Sequence, residues 1–465
     1  MSTTLPERTE IGTEIACSAE PPHRTELPRI CPAPRVPLVT GESVPYANLD
    51  LAASAPPLQA VADHVAELLP YYSSVHRGAG YCSQVSTSVL ERARDTVGRF
   101  LGARTDDVVV FTRNTTDALN LLARAVPGVV LSLDSEHHAN LLPWLTGPHR
   151  VLTAAPTIAQ TLENLRAALA ADPVALVTVA GAGNVTGELL PLAEIADIAH
   201  AAGARLAVDA AQLAPHRRID IAATGIDYLA LSGHKLYAPY GTGVLIGRRD
   251  WLDAAAPHLA GGGAVRAVTV TGDEAAAGWA PSPQRHEGGT PNVLGAAALA
   301  QACRALDPVI DHDAPAHEQA LLERLLDGLA TVPGVRPLRT WADSTERVGV
   351  VAFTVDHHPA GRVAAYLSAE HGIGVRDGKF CAHPLVDRLT GADEGAVRAS
   401  IGIGTTADDI DRLLTALRGL TKRGARWDYE VVEGRWAPSP DPRDLDPLGL
   451  GEARPGATPG APACA

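Results

Sequence analysis

The chain has 465 residues, 46% of them apolar and 4% aromatic, with a formal charge of −14 from 39 basic and 53 acidic side chains. That length holds two or three units with substantial cores, and the acidic balance argues against a nucleic-acid or anionic-membrane binder. No uncharged apolar run reaches the ~18 residues of a membrane span, and six scattered cysteines make neither a disulfide framework nor a metal site.

The N-terminus, "MSTTLPERTEIGTE", carries charges where a signal peptide has its apolar core. Residues 1–45 are rich in proline and read as a flexible arm; the Pro-rich stretch 426–465 reads as a matching tail. Between the arms, "DDVVVFT" (106–112) predicts a strand and "TTDALNLLARAV" (115–126) a helix. "GVVLSLD" (128–134) predicts a strand and "ENLRAALAA" (163–171) a helix. "VALVTVA" (174–180), "ARLAVDA" (204–210), "DYLALS" (227–232) and "GVLIGR" (243–248) continue as strands. Unbroken apolar strands between helices indicate a mostly parallel sheet covered on both faces, an α/β unit spanning 46–306. From about Asp307 a long helix, "HEQALLERLLDGLATV", precedes "GVVAFTV", "RVAAYLSAEHG" and a closing helix, "TADDIDRLLTALRGL". That is a smaller α+β unit over 307–425. The first residues of the large unit are expected to pack on the small one. The whole reads as a reduced, cytoplasmic enzyme without a metal.

In open parallel sheets ligands bind beyond the carboxyl ends of the strands. After "VVVFT", Asn114, Thr115 and Thr116 stand where a helix begins, a place that suits phosphate and equally suits a plain cap. After "VVLSLD" come His137 and His138, whose spacing is a weak metal signal. Asp209 closes an apolar strand, where a buried carboxylate needs a partner such as a protonated ring nitrogen, and Gln212 lies three residues on. Ser232, His234 and Lys235 end the next strand. Lysine is scarce here: only Lys235, Lys379 and Lys422 occur, against 36 arginines. Lysine can lose its proton when desolvated and form a Schiff base, which arginine cannot. A strand-end acid, a strand-end lysine and a phosphate-type helix start together describe one ligand, pyridoxal 5′-phosphate.

From about residue 46 to 417 the chain resembles the cysteine desulfurase/selenocysteine lyase branch of the class V aminotransferases, fold type I pyridoxal-phosphate enzymes. The matching stretches are "SSVHRGAG", "FTRNTTDALNLLA", "EHHANLLPW", "AVDAAQ", "LSGHKLYAPYGTG", "HEGGTPN", "GIGVRDGKFCAHPL" and "VRASIGIGTT". The resemblance implies that Lys235 is the Schiff-base lysine and Asp209 the partner of the pyridine nitrogen. It further implies that Gln212 contacts the ring oxygen, His137 stacks on the ring and assists proton transfer, and Thr116, Ser232 and His234 hold the phosphate beside Thr115. Thr290 is expected to reach the phosphate of the second subunit of a homodimer. Asn184 and Arg398 are expected to bind the substrate carboxylate, with Arg376 nearby. Cys381 matches the loop cysteine that attacks the substrate sulfur; Lys379, His383 and Arg376 lie within five residues of it, and nearby cations favour a thiolate. Cys82 is the nearest rival and reads as structural. The sequence departs from the family at Lys379-Phe380, where desulfurases usually carry histidines, at "IGIGTT" after Arg398, and around residues 79–82.

The expected activity is removal of sulfur from L-cysteine to give alanine and a persulfide on Cys381, with a sulfur-acceptor protein as a further partner. The alternative is a carbon–sulfur lyase acting on a cysteine conjugate, or a selenocysteine lyase, without a cysteine nucleophile. A third reading, a catalytically silent scaffold, fits poorly with the complete Lys235/Asp209/His137 set.

Overall fold

The computed structural model of the protein describes residues 25–391 and 395–451; Cys17, Cys464 and the outer parts of the two expected arms lie outside the described residues. Strands Val108–Thr112 (β1), Val130–Leu133 (β2), His149–Leu152 (β3), Leu176–Ala180 (β4), Arg205–Asp209 (β5), Tyr228–Ser232 (β6) and Gly243–Gly247 (β7) form one sheet in the order β1-β7-β6-β5-β4-β2-β3. Side chains alternate between its faces, and both faces are apolar. Along β5, Leu206 and Val208 enter one core cluster and Ala207 the other; along β6, Leu229 and Leu231 alternate with Tyr228 and Ala230 in the same way. Helix α1 (Thr115–Ala123) covers one face through Ala118 and Leu119, and α2 (Val293–Leu306) the other through Ala296 and Leu299.

Strands β2 to β6 pair in parallel, but β7 runs antiparallel to both β6 and β1. The apolar run of β7 reads like its parallel neighbours. Its direction follows from the ten-residue link 233–242, too short for the crossover that a parallel strand needs. That short link carries Lys235.

Strands Val335–Pro337 (β8), Val350–Val355 (β9), Arg376–Gly378 (β10) and Ala396–Ser400 (β11) form an antiparallel sheet in the order β8-β9-β11-β10. Helices α3 (Asp313–Ala330), α4 (Ala360–His371) and α5 (Ala407–Arg423) enclose its core around Leu325, Phe353, Leu367, Val397 and Leu413. A capping box of Thr406 and Asp409 starts α5.

Residues 47–55 thread both units. Ala47–Asn48 pairs in parallel with Ile373–Gly374 and Leu49 joins the small core, whereas Ala52 and Ala55 join the large one. Ala52 N–H donates to Ser400 Oγ at 2.9 Å, and Ala55 N–H to His234 O at 2.9 Å. The described parts of the expected arms contain hairpins: Arg35–Pro37 pairs with Ser43–Pro45, and Tyr429–Val432 with Arg435–Pro438. Among the described residues no helix is long and apolar enough to cross a membrane, and no group of three or more His, Cys, Asp or Glu is arranged to hold a metal.

Candidate active site

A cavity of about 900 Å³ opens beyond the carboxyl ends of β5 and β6, where a doubly covered sheet places its ligands. Every site residue named from the sequence lines it except Thr290, which is exposed on a loop outside this chain's cavity. On one side stands the start of α1. Asn114 caps it by accepting from Asp117 N–H at 2.9 Å. Asp117 is bonded by Arg113 and His258, and these bonds hold its carboxyl well below the usual range against the opposing effect of burial. Thr115 N–H donates to Ser232 Oγ at 2.8 Å, and the two hydroxyls lie 2.7 Å apart. Gly243 permits this approach: a Cβ there would stand 2.7 Å from Asn114 Cα. Thr116 and His234 face the cavity beside this helix end.

Opposite lie Asp209 and Lys235. Asp209 is 5% exposed and accepts Ala211 N–H at 2.9 Å. Burial raises its pKa, and Lys235 opposes that rise. Lys235 is pulled down to about 8, by burial first and by Arg398 as well, while Asp209 and Cys381 push it up. His137 is driven down to about 3 by burial and by the charges of Lys235, His138 and Arg398. Its Nδ1 accepts Ala139 N–H at 3.0 Å, so the neutral ring carries its proton on Nε2. His137 therefore presents a donor to the cavity rather than a free base. Gln212 is buried and donates through Nε2 to Ala52 O at 2.7 Å.

The third wall holds the arginines and the cysteine loop. Buried Arg398 donates to Asn184 O at 2.9 Å and to Asp50 Oδ1 at 3.3 Å; Arg376 meets the other Asp50 oxygen at 3.0 Å. Burial lowers Arg398 to about 10 and Asp50 opposes that, so it stays cationic at neutral pH. Phe380 and Cys381 both adopt left-handed backbone, φ 54° and 55°. Such strain persists only where surroundings fix it. Here Asn184 Nδ2 donates to Phe380 O at 2.8 Å and His138 N–H to Cys381 O at 2.7 Å, while the Arg398 guanidinium sits 5.0 Å over the Phe380 ring.

The sequence neighbours expected to activate Cys381 are otherwise engaged. Lys379 pairs with Asp387 at 2.8 Å, Arg376 with Asp50, and the His383 ring meets His138 edge-on at 4.5 Å. Cys381 also favours the protonated forms of Lys235 and Arg398, which are distant in sequence. Cys82 lies in the helix Tyr81–Phe100 and does not line the cavity; Cys303 is buried in α2, where burial pushes its thiol up.

Sequence reasoning misses Asp50 because its two arginines come from β10 and β11. Asp50→Asn is expected to leave buried Arg398 poorly compensated, lowering folding stability by about 2 kcal/mol or more and raising KM for the amino acid. Denaturant unfolding checks this, and an Asn variant as stable as its parent would contradict it. Also missed is Glu136, fully buried behind His137 and raised by burial to about 8. Asn140 donates to it at 2.7 Å and accepts from Thr178 Oγ1 at 2.6 Å, which braces the His137 loop against β4.

The residues fit a phosphorylated pyridine aldehyde. A neutralisable buried lysine, a buried carboxyl with one backbone bond and a helix start with hydroxyls face one space, as such a group requires. Comparison with known proteins agrees with this geometry. The sequence pattern of the aminotransferase class-V family matches residues 47–413, and the chain belongs to that family. A protein of Dickeya dadantii named cysteine desulfurase is 37% identical over 388 residues, covering 80% of this chain and 91% of that one. One of Pectobacterium atrosepticum with the same name is 36% identical over 389 residues, covering 80% and 93%. Among solved structures, the apo cysteine desulfurase of Thermococcus onnurineus superposes with a TM-score of 0.74 at 30% identity, covering 81% of this chain and 95% of that one. The Escherichia coli cysteine desulfurase CsdA gives 0.69 at 33% identity, covering 80% and 94%.

Proposed function

We propose that the protein is a pyridoxal 5′-phosphate-dependent desulfurase that converts L-cysteine to alanine and leaves a persulfide on Cys381. The observation that carries this reading is that Lys235 and Cys381 line one cavity and are electrostatically coupled, with the cysteine loop pinned there by Asn184 and His138. When bound, the cofactor supplies an electron sink that lets the Cα–H bond break. The start of α1, with Thr115, Thr116, Ser232 and His234, serves its phosphate, and Asp209 its ring nitrogen. Gln212 serves the ring oxygen. Lys235 Nζ would hold the cofactor covalently, and as a neutral amine it would accept the Cα proton. Arg398 orients the substrate carboxylate with Asn184, and Arg376 stands at the same wall. His137 Nε2–H donates to bound oxygen or sulfur atoms. Cys381 attacks the substrate sulfur as a thiolate, favoured by the positive charges of Lys235 and Arg398.

The homodimer belongs to the same reading: Thr290, exposed and outside its own cavity, would complete the phosphate site of a second copy. The carbon–sulfur lyase reading uses the same lysine and acid but gives Cys381 no task, and the relatives named cysteine desulfurase favour the first. Incubating the purified protein with L-cysteine and with cysteine conjugates separates them. Alanine with enzyme-bound sulfur is expected; pyruvate as the product would sink the desulfurase reading.

A further inference from the structure

The family pattern ends at residue 413, yet Gly434, Arg435 and Trp436 beyond it also line the cavity. The hairpin Tyr429–Val432/Arg435–Pro438 brings Arg435 and Trp436 to the cavity lining. Its root is fastened to α4 by Glu370, which is 2% exposed. That carboxylate accepts from Arg426 N–H at 3.0 Å, Trp427 N–H at 3.1 Å and Tyr429 Oη at 3.2 Å. Trp427 Nε1 in turn donates to Pro440 O at 2.8 Å, closing the base of the hairpin.

At the other end the Trp436 indole lies on the first turn of α4. A Cβ on Gly361 would stand 2.8 Å from Trp436 Cδ1 and 3.2 Å from Asp377 Oδ2, so only glycine admits this packing. The Arg362 guanidinium sits 5.9 Å over the indole, within cation–π range. Held on both sides, the indole makes a firm wall. It lines the cavity together with Gly361, Ala364 and Asp377. Asp377 is continuous through Gly378 and Lys379 with Cys381. A group carried on the substrate's sulfur must lie on the Cys381 side of the cavity, because that thiolate has to reach the sulfur. Gly378, Asp377 and Trp436 line that same cavity.

We propose that this hairpin selects the substrate: Trp436, with Arg435 beside it, bounds the lobe that would receive a sulfur substituent, admitting compact sulfur amino acids and turning away cysteines with a bulky S-substituent. The proposal rests on the desulfurase reading for the placement of the sulfur. A ring that meets this wall is expected to bind roughly 5- to 150-fold more weakly than a methyl group. Titration of the full-length holoenzyme with S-methyl-L-cysteine and S-benzyl-L-cysteine, followed by cofactor absorbance, gives two Kd values. The wild type is expected to bind the methyl compound at least tenfold more tightly, and Trp436→Ala to reduce that ratio tenfold or more. Glu370→Ala, which unfastens the hairpin from outside the cavity, should move the ratio in the same direction. Equal binding of the two compounds by the wild type would overturn the proposal. A ratio within twofold of wild type in both variants would do the same. These ratios need no turnover, so a wild type that makes no alanine from L-cysteine would sink the activity reading and leave the wall to be judged by its own numbers.

Discussion

Lys235→Arg is expected to lower turnover by at least about 10⁴-fold and to abolish covalent attachment of the cofactor, as completely as Lys235→Ala does. Arginine keeps the positive charge, so charge alone is not what position 235 supplies. Burial holds Lys235 near 8, within reach of physiological pH, whereas a guanidinium stays protonated. The pKa is depressed, so the neutral amine grows as pH rises through about 8. Capture of pyridoxal phosphate by the apo protein should accelerate with pH around the same midpoint. Borohydride reduction followed by peptide mapping reads the attachment point directly. An adduct on Lys379, which pairs with Asp387, would overturn the assignment.

Cys381→Ser is expected to cost on the order of 10³-fold or more in alanine formation from L-cysteine, about 4 kcal/mol of barrier, while cofactor binding persists. A hydroxyl at this position has too high a pKa to supply an anion, and Lys235 and Arg398 stabilise a thiolate only if there is one to form. Persulfide on the protein, measured by mass, should vanish together with alanine. The left-handed conformation at residues 380 and 381 is held by Asn184 and His138, so serine should keep the loop in place and the loss should report chemistry. Undiminished sulfur release by the serine variant would give the lyase reading precedence.

The sheet was legible because burial on both faces writes itself as unbroken apolar runs, and the site because strand-end polar residues stand out against them. Asp209 and Lys235 stand out this way, whereas His137 is singled out only by the family resemblance. The direction of β7 could not, since an apolar run is the same in either sense and only the short link 233–242 decides it. Electrostatic partners are legible only when close in sequence: Lys379 and its partner Asp387 are eight residues apart, whereas Lys235 and Arg398, on which Cys381 acts, lie on the β6–β7 link and on β11. Asp50 was invisible for the same reason. The C-terminal hairpin escaped notice because proline-rich composition resembles a solvated tail, and its anchor, Glu370, lies 56 residues before Arg426.

The segment 47–55, shared by both cores, has a consequence for biosynthesis. Ala52 and Ala53 form part of the cavity wall, and Ala52 is fixed by Ser400, 348 residues later in the chain. At translation rates of ~5–20 residues per second, that partner emerges roughly 20–70 s after the segment it secures. The first strands of the large sheet can be complete while the nascent chain still lacks Cys381, Arg398 and the strand that holds residues 47–50. The binding cavity is therefore finished only after Ser400 has left the ribosome, and a pyridoxal phosphate taken up as proposed would meet a complete site only then.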